Sequence, residues 1–312
     1  MQPFEWEKPL LELEERIKEL KQFCTRAEMD FSEELANLER KAWDLRREIY
    51  ANLTPYQRVL MARHPQRPTT LDYIRLVFDD FLELRGDRAF RDDGAIVGGI
   101  AVLDGQPVTV LGPQKGRDTK ENIARNFGLP HPEGYRKALR LMKQAEKFGR
   151  PVVTFIDLVG AYPGVEAEER GQGLVIAECI EAMSFLRTPI IAVITGEGGS
   201  GGALALGVAD RILMLENAWY SVISPEMCAA ILWRDASRAE EAAEVLRLTP
   251  TDLLRFGIID DVITEPLGGA HRDHSFTGLQ VRAFLRRYLA LVKKIPVEQL
   301  VEERLARFRR IG

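Results

Sequence analysis

Five of the seven residues in Gly196-Glu197-Gly198-Gly199-Ser200-Gly201-Gly202 are glycine. The apolar stretch Ile190–Thr195 precedes them and Ala203-Leu204-Ala205-Leu206 follows. Glycines cluster this densely where a backbone must turn sharply or let another group approach closely. An apolar strand before the run and helix formers after it predict a strand-to-helix turn. The first turn of a helix carries unpaired N–H groups and a partial positive charge. The run therefore predicts an anion-stabilising backbone site in an α/β protein. A plain packing turn would need one glycine, not five.

Two familiar patterns overlay the same residues. Gly196, Gly198 and Gly201 satisfy GxGxxG, with Glu216 beyond, which is the dinucleotide fingerprint. Only Gly202 to Asp210 remain for its crossover helix, and a parallel crossover needs a dozen residues or more. Gly198-Gly199-Ser200-Gly201-Gly202 also satisfies GxSxG, the nucleophile elbow, and Asp260 or Asp261 and then His271 complete a Ser-acid-His order. Against that hydrolase reading, His271 lies in a polar, glycine-containing loop, and no HGGG-type segment supplies a second oxyanion donor. The remaining reading is an oxyanion hole with no protein nucleophile, built from backbone N–H groups alone.

The surrounding chain predicts the layers. Leu10, Leu13, Ile17 and Leu20, then Leu35, Leu38, Ala42, Leu45 and Ile49 after a break near Thr25–Asp30, mark an α-hairpin with a heptad seam. That seam suits packing within its own domain or an oligomer or partner surface. Thr54-Pro55-Tyr56-Gln57 starts a helix, and Leu71 through Leu82 has helical spacing. Strands are expected at Ala95–Leu103 and Pro107–Gly112 around the Asp104-Gly105 turn, and at Val152–Ile156, Ile190–Thr195, Arg211–Leu215, Trp219–Ile223 and Ile258–Ile263. Helices are expected at Tyr135–Phe148, Glu168–Leu186, Ser200–Gly207, after Ser224-Pro225, and over most of Leu279–Arg309. Continuous apolar strands alternating with helices predict a layered α/β core. The expected organisation is an N-terminal helical region over 1–85, a core over 86–276 and C-terminal helices over 277–312.

A second strand-end loop, Asp157-Leu158-Val159-Gly160-Ala161-Tyr162-Pro163-Gly164, is placed to line a crevice. Tyr162 could face a ligand or simply pack. Glu166, Glu168 and Glu169 suit a helix N-terminus. From Lys115 to Arg150 ten Lys or Arg stand against four Asp or Glu, so the segment is locally basic. Lys115, Arg117 and Lys120 could meet cofactor phosphates, whereas Arg136, Lys137, Arg140, Lys143 and Lys147 read as a solvated helix face.

Overall composition excludes some functions. With 312 residues, 46% hydrophobic, the chain can bury a large core, and its net charge of -4 disfavours nucleic-acid binding. Cys24, Cys179 and Cys228 have no zinc spacing, so no bound metal is expected. No basic n-region or long apolar span is present, which predicts a soluble, cytoplasmic protein with no membrane partner.

Several long motifs in one order carry a resemblance. They are His64-Pro65-Gln66-Arg67-Pro68 with Leu71-Asp72-Tyr73, Gln114-Lys115-Gly116-Arg117, Pro132-Glu133-Gly134-Tyr135-Arg136-Lys137-Ala138, Gly160-Ala161-Tyr162-Pro163-Gly164, the glycine run, and Glu265-Pro266-Leu267-Gly268-Gly269-Ala270-His271-Arg272. Together they resemble the carboxyltransferase α subunit of bacterial and plastid acetyl-CoA carboxylase, from the N-terminal helices through about residue 272. The resemblance implies a crotonase-type fold with an N-terminal helical region. It implies an α2β2 assembly with a zinc-ribbon β subunit, and transfer of a carboxyl group from carboxybiotin on a carrier protein to acetyl-CoA, giving malonyl-CoA for fatty-acid synthesis. No cofactor would be bound covalently to this chain. By carry-over, Gly201 and Gly202 form the oxyanion hole for the biotin ureido oxygen. Gly198, Gly199, Tyr162 and Gly164 line the carboxybiotin side, and the freed biotin nitrogen serves as base. CoA would then sit mainly on the β subunit. Three positions depart from the family pattern: Leu158-Val159 replaces Thr-Pro, which predicts a looser loop, and Met227 replaces glycine. A scaffold without catalysis is the reading those departures keep open.

Overall fold

The computed structural model describes residues 4–27 and 31–311. It divides into two compact units, Met1–Thr54 and Pro55–Gly312. The first is the expected α-hairpin, α1 (Lys8–Ala27) and α2 (Ser32–Ala51). Leu10, Ile17, Ala42 and Tyr50 are among its buried side chains, and Arg46 pairs with Glu14 across the helices. The break predicted at Thr25–Asp30 falls partly on residues 28–30, outside the described residues.

In the second unit, α3 (Pro55–Ala62) and α4 (Thr70–Val77) precede the strands β1 (Asp79–Glu83), β2 (Ile96–Leu103) and β3 (Gln106–Pro113). Then come α5 (Thr119–Ala124), α6 (Pro132–Lys147), β4 (Val152–Leu158), α7 (Val165–Glu169), α8 (Gln172–Phe185), β5 (Ile190–Gly199) and α9 (Ser200–Leu204). The chain continues through β6 (Arg211–Leu215), β7 (Trp219–Ser221), α10 (Pro225–Trp233), α11 (Ala239–Leu246), α12 (Pro250–Arg255), β8 (Asp261–Ile263), α13 (His274–Val292) and α14 (Val297–Ile311).

The sheet runs β1-β2-β3-β4-β5-β6-β8, with β7 paired to the far end of β5. The first three strands are antiparallel and the rest parallel. Parallel strands are covered on both faces, so they read as unbroken apolar runs; β4 and β5 are buried along their whole length. The turn between β2 and β3 is as expected, with φ of 50° at Asp104 and 77° at Gly105, the left-handed pair that hairpin twist demands.

Three expectations change. The helix expected to reach Leu82 stops at Val77, and residues 79–83 become an edge strand. Apolar spacing fits either form there. What decides is the partner: a Cβ on Gly99 would overlap the Leu82 carbonyl, so only glycine lets β1 close on β2. The division expected at residue 85 therefore falls inside a compact unit that starts at Pro55, because α4 and β1 pack on the sheet. The two long helices expected over 168–186 and 279–309 are each split. Gly171, at φ of 82°, separates α7 from α8, and Pro296 precedes α14.

Gly99→Ala is expected to destabilise this unit by about 1–3 kcal/mol through forced separation of β1 from β2. Urea unfolding of wild type and variant measures it.

Candidate active site

The strand ends are where the sheet departs from regular pairing. β4 and β5 stay in parallel register through Ile156↔Ile194, and the next pair is Leu158↔Gly198. Asp157 therefore faces three residues of β5: Thr195, Gly196 and Glu197. Its carboxylate replaces the missing ladder bonds, accepting the Glu197 N–H at 2.9 Å. A side chain on Gly196 would collide with that carboxylate.

Cations close over this bulge. Lys115, just after β3, donates from Nζ to Asp157 Oδ1 at 2.6 Å and to Glu197 Oε2 at 2.9 Å. Arg63, just after α3, donates to Glu197 Oε1 at 2.8 Å and to both Glu226 oxygens at 2.6 and 3.1 Å. The Tyr56 hydroxyl donates to Glu226 at 3.2 Å. Arg67 holds the bulge from the other side. It donates to the Thr195 carbonyl at 2.9 Å and makes a two-pronged pair with buried Glu265 at 2.7 and 2.8 Å. Burial opposes charge on Lys115, but Asp157 and Glu197 outweigh it and hold its pKa above the ordinary lysine value. Burial likewise opposes charge on Glu226, and the Arg63 bonds outweigh it, pulling its pKa down to about 2.

Past the bulge, the chain turns at Ser200, whose φ is 62°. A Cβ on Gly202 would lie 2.7 Å from the Ala161 nitrogen and 2.7 Å from the Tyr135 hydroxyl, so the two strand-end loops touch there. They share a cleft of about 360 Å³. Its lining comes from Val159–Pro163, from Ser200, Gly201 and Gly202, from Gln172 and Ile176 of α8, and from Val222, Ile223 and Met227. Gly201 and Gly202 lie in the first turn of α9, where N–H groups have no helical partner. The Ala161 N–H has no acceptor among the described residues. The cleft thus gathers backbone donors among apolar side chains.

Tyr162 is fixed beside it. Its N–H donates to the Pro130 carbonyl at 3.0 Å, and its ring lies 4.1 Å from that of His131. Gln172 Nε2 donates to the carbonyls of Pro130 and Tyr162 at 2.8 and 3.0 Å. A hydrogen bond to Glu166 raises the Tyr162 phenol pKa above its ordinary value.

Of the expected site residues, Tyr162, Gly201 and Gly202 line the cleft. Gly198 and Gly199 do not. They are buried in β5, which runs through Gly199 instead of ending at Thr195, and pair with Tyr220 and Ser221 of β7. Their missing side chains admit Tyr220 and the Val159 carbonyl. Gly164 is also off the cleft and seats the Tyr162 ring. Leu158-Val159 does not release its loop: Leu158 pairs with Gly198, and Val159 packs on Gly199. Val159 and Met227, the two departures that reach the surface, both line the cleft.

The overlaid patterns do not assemble. Gly196 and Gly198 sit in a strand, not in a phosphate-binding turn. Asp260 accepts from the Ile212 N–H at 2.7 Å and from Arg307 at 2.5 Å, Asp261 accepts from Tyr288 at 2.8 Å, and His271 stacks on His64 at 3.7 Å. The triad order in the sequence therefore has no counterpart in space. The basic stretch is mostly engaged internally. Lys137 is buried against Asp92 and the Asp93 carbonyl, Arg136 pairs with Asp87 and Glu133, and Arg140 caps carbonyls at Leu84 to Gly86. These three side chains order the 84–93 loop and are neither a solvated face nor a phosphate site, whereas Lys143 and Lys147 are exposed as expected. The residues missed by sequence reasoning are Arg63, Asp157, Glu197 and Ala161. Glu197, a lone carboxylate inside a glycine run, was the available signal.

A model of the acetyl co-enzyme A carboxylase carboxyltransferase-like family matches residues 3–312. The chain belongs to this family, as an α subunit. Proteins named acetyl-coenzyme A carboxylase carboxyl transferase subunit alpha are 59% identical in Carboxydothermus hydrogenoformans, over 99% of this chain and 96% of that one. In Thermus thermophilus the figure is 58%, over 99% and 98%. Among solved structures, a transcarboxylase 12S chain superimposes with TM-score 0.56 at 23% identity, over 70% of this chain and 41% of that chain. A chain of a Pseudomonas malonate decarboxylase hetero-tetramer gives 0.57 at 21%, over 70% and 90%. These confirm the crotonase-type fold, and the full-length relatives favour a biotin-dependent carboxyltransferase over the hydrolase and scaffold readings. No helix among the described residues is long and apolar enough to cross a membrane.

Gly202→Ala should cost about 1–3 kcal/mol by pushing the two loops apart, while Gly201→Ala, whose Cβ would meet only Ile176 at 3.7 Å, should stay within about 1 kcal/mol of wild type. Thermal unfolding of both variants tests the contrast. The depressed pKa of Glu226 gives stability that is present above its unfolded value and lost as pH falls toward about 2. Glu226→Gln should therefore flatten the acid side of the stability profile, read as urea midpoints across that range.

Proposed function

We propose that this chain supplies the biotin-side half of the carboxyltransferase site of an acetyl-CoA carboxylase. The supporting observation is the meeting of two strand-end loops, which brings the Ala161 N–H beside Gly202 at the edge of an apolar cleft. A cyclic urea needs hydrogen-bond donors at its oxygen and apolar walls around its ring, and both are present. Carboxybiotin, presented by a carrier protein, supplies the activated carboxyl group that converts acetyl-CoA to malonyl-CoA. The chain's own contribution is electrostatic: the N–H groups of Gly201, Gly202 and Ala161 stabilise charge that develops on the ureido oxygen. One such donor is typically worth ~2.7–4 kcal/mol of barrier.

Tyr162 and Glu168 are the titratable side chains on the lining. Tyr162 is committed to Glu166, and Glu168 is exposed. Neither is placed as a general base, which fits a reaction whose proton acceptor arrives with the substrate. Tyr162, Val159 and Met227 shield the donors from water. Acetyl-CoA binds mainly on a zinc-ribbon β subunit in an α2β2 assembly, which completes the site. The compartment is the cytoplasm.

The test is a purified complex with the cognate β subunit, assayed for acetyl-CoA-dependent consumption of carboxybiotin. Turnover is expected, and none with a verified β partner would remove the proposal. Ser200→Gly should retain that turnover and fold at least as well, since glycine accepts the positive φ that strains serine. Loss of turnover in that variant would restore the hydrolase-type reading of Ser200.

A further inference from the structure

We propose that Lys115 is a positioning residue for carboxyl transfer, holding the ends of β4 and β5 in the bulged register that sets the Ala161 and Gly201–Gly202 donors side by side. This rests on the proposed function above. Lys115 itself does not line the cleft. It acts through the two strands whose next residues do.

The geometry assigns it that part. Asp157 lies four residues before Ala161, and Glu197 lies four before Gly201. The bulge between them is the point at which β5 gains two residues on β4. One ammonium spans both carboxylates, at 2.6 and 2.9 Å. Bulges re-aim the strand beyond them and recur beside active sites. Here the strand beyond is Gly198–Gly199, leading into the Ser200 turn. Without Lys115, Asp157 and Glu197 would face each other across the bulge, and Arg63 is already shared between Glu197 and Glu226. A buried ion pair is a poor source of net stability compared with apolar packing. What it specifies well is register.

Lys115→Met should lower kcat about 100-fold, the effect of one displaced oxyanion donor, and leave the KM for acetyl-CoA unchanged. Lys115→Arg, which keeps the charge and can bridge both carboxylates, should recover part of the loss. If Lys115→Met alone folds poorly, Lys115→Met with Glu197→Gln removes the charge imbalance. It should restore thermal stability without restoring kcat. Amide exchange on the full chain gives a readout independent of turnover. Exchange should quicken in 157–163 and 196–203 and stay unchanged across the hairpin 96–113. Wild-type kcat in either Met variant, or unaltered exchange in those two segments, would overturn the proposal. An inactive wild-type complex would remove the proposed function instead, and the exchange data would still decide whether Lys115 positions the loops.

Discussion

The candidate site depends on a register slip between two parallel strands. If β4 and β5 paired regularly to their ends, Gly198–Gly202 would continue as an ordinary strand and connection. Asp157 facing three residues of β5 prevents that. The slip leaves ladder groups to satisfy, and side chains from distant parts of the chain do so. The Asp157 carboxylate accepts the Glu197 N–H, and Arg67 donates to the Thr195 carbonyl. Buried backbone polar groups cannot go unpaired without cost, so these side chains are part of what makes the slip possible.

The charges around the slip also tie it to the rest of the fold. Lys115 follows β3, Arg63 follows α3, and Glu226 opens α10. Arg67 reaches Glu265 after β8, and Glu265 in turn accepts from the Asn217 and Ala270 N–H groups at 3.0 and 2.7 Å. Elements far apart in sequence thus converge on a few carboxylates behind the cleft. Each pair carries a desolvation cost that cancels much of its Coulomb energy. The arrangement therefore contributes more to specifying which strand ends meet than to overall stability. The apolar core, continuous along β4, β5 and β6, supplies the stability.

What was legible in the sequence follows this division. Apolar runs reported the parallel strands because burial on both faces favours apolar side chains on both. Asp104-Gly105 reported its hairpin because the turn demands positive φ at both positions. The glycine run correctly marked the site region, but not its form. Its first half is strand, and Gly198 and Gly199 serve close packing instead of ligand contact. The cause is long-range: the partner of that segment is β7, some twenty residues on, and local pattern does not encode it. Phe78–Glu83 failed for the same reason, since Gly99 across the sheet decides its conformation. Lys115 suggests a phosphate contact from sequence because a basic loop after a hairpin looks exposed. Its two carboxylate partners lie 42 and 82 residues away.

The same reasoning explains why a GxSxG match here does not make a hydrolase. Ser200 does occupy a strained strand-to-helix turn with positive φ, as a nucleophile elbow would. That turn serves any chemistry in which backbone donors must be presented at a strand end. A hydrolase adds a base and an acid to it. Here the acids of the sequence pattern are engaged elsewhere by Ile212, Arg307 and Tyr288, and His271 is stacked on His64. A turn that keeps the donors and omits the base suits a substrate that brings its own proton acceptor. In the proposed function the fold supplies rigidity and donors, and the reactive group arrives from elsewhere. Under the proposed function, the exposed, apolar setting of Val159 and Met227 fits a cleft that must stay open to a partner completing the reaction.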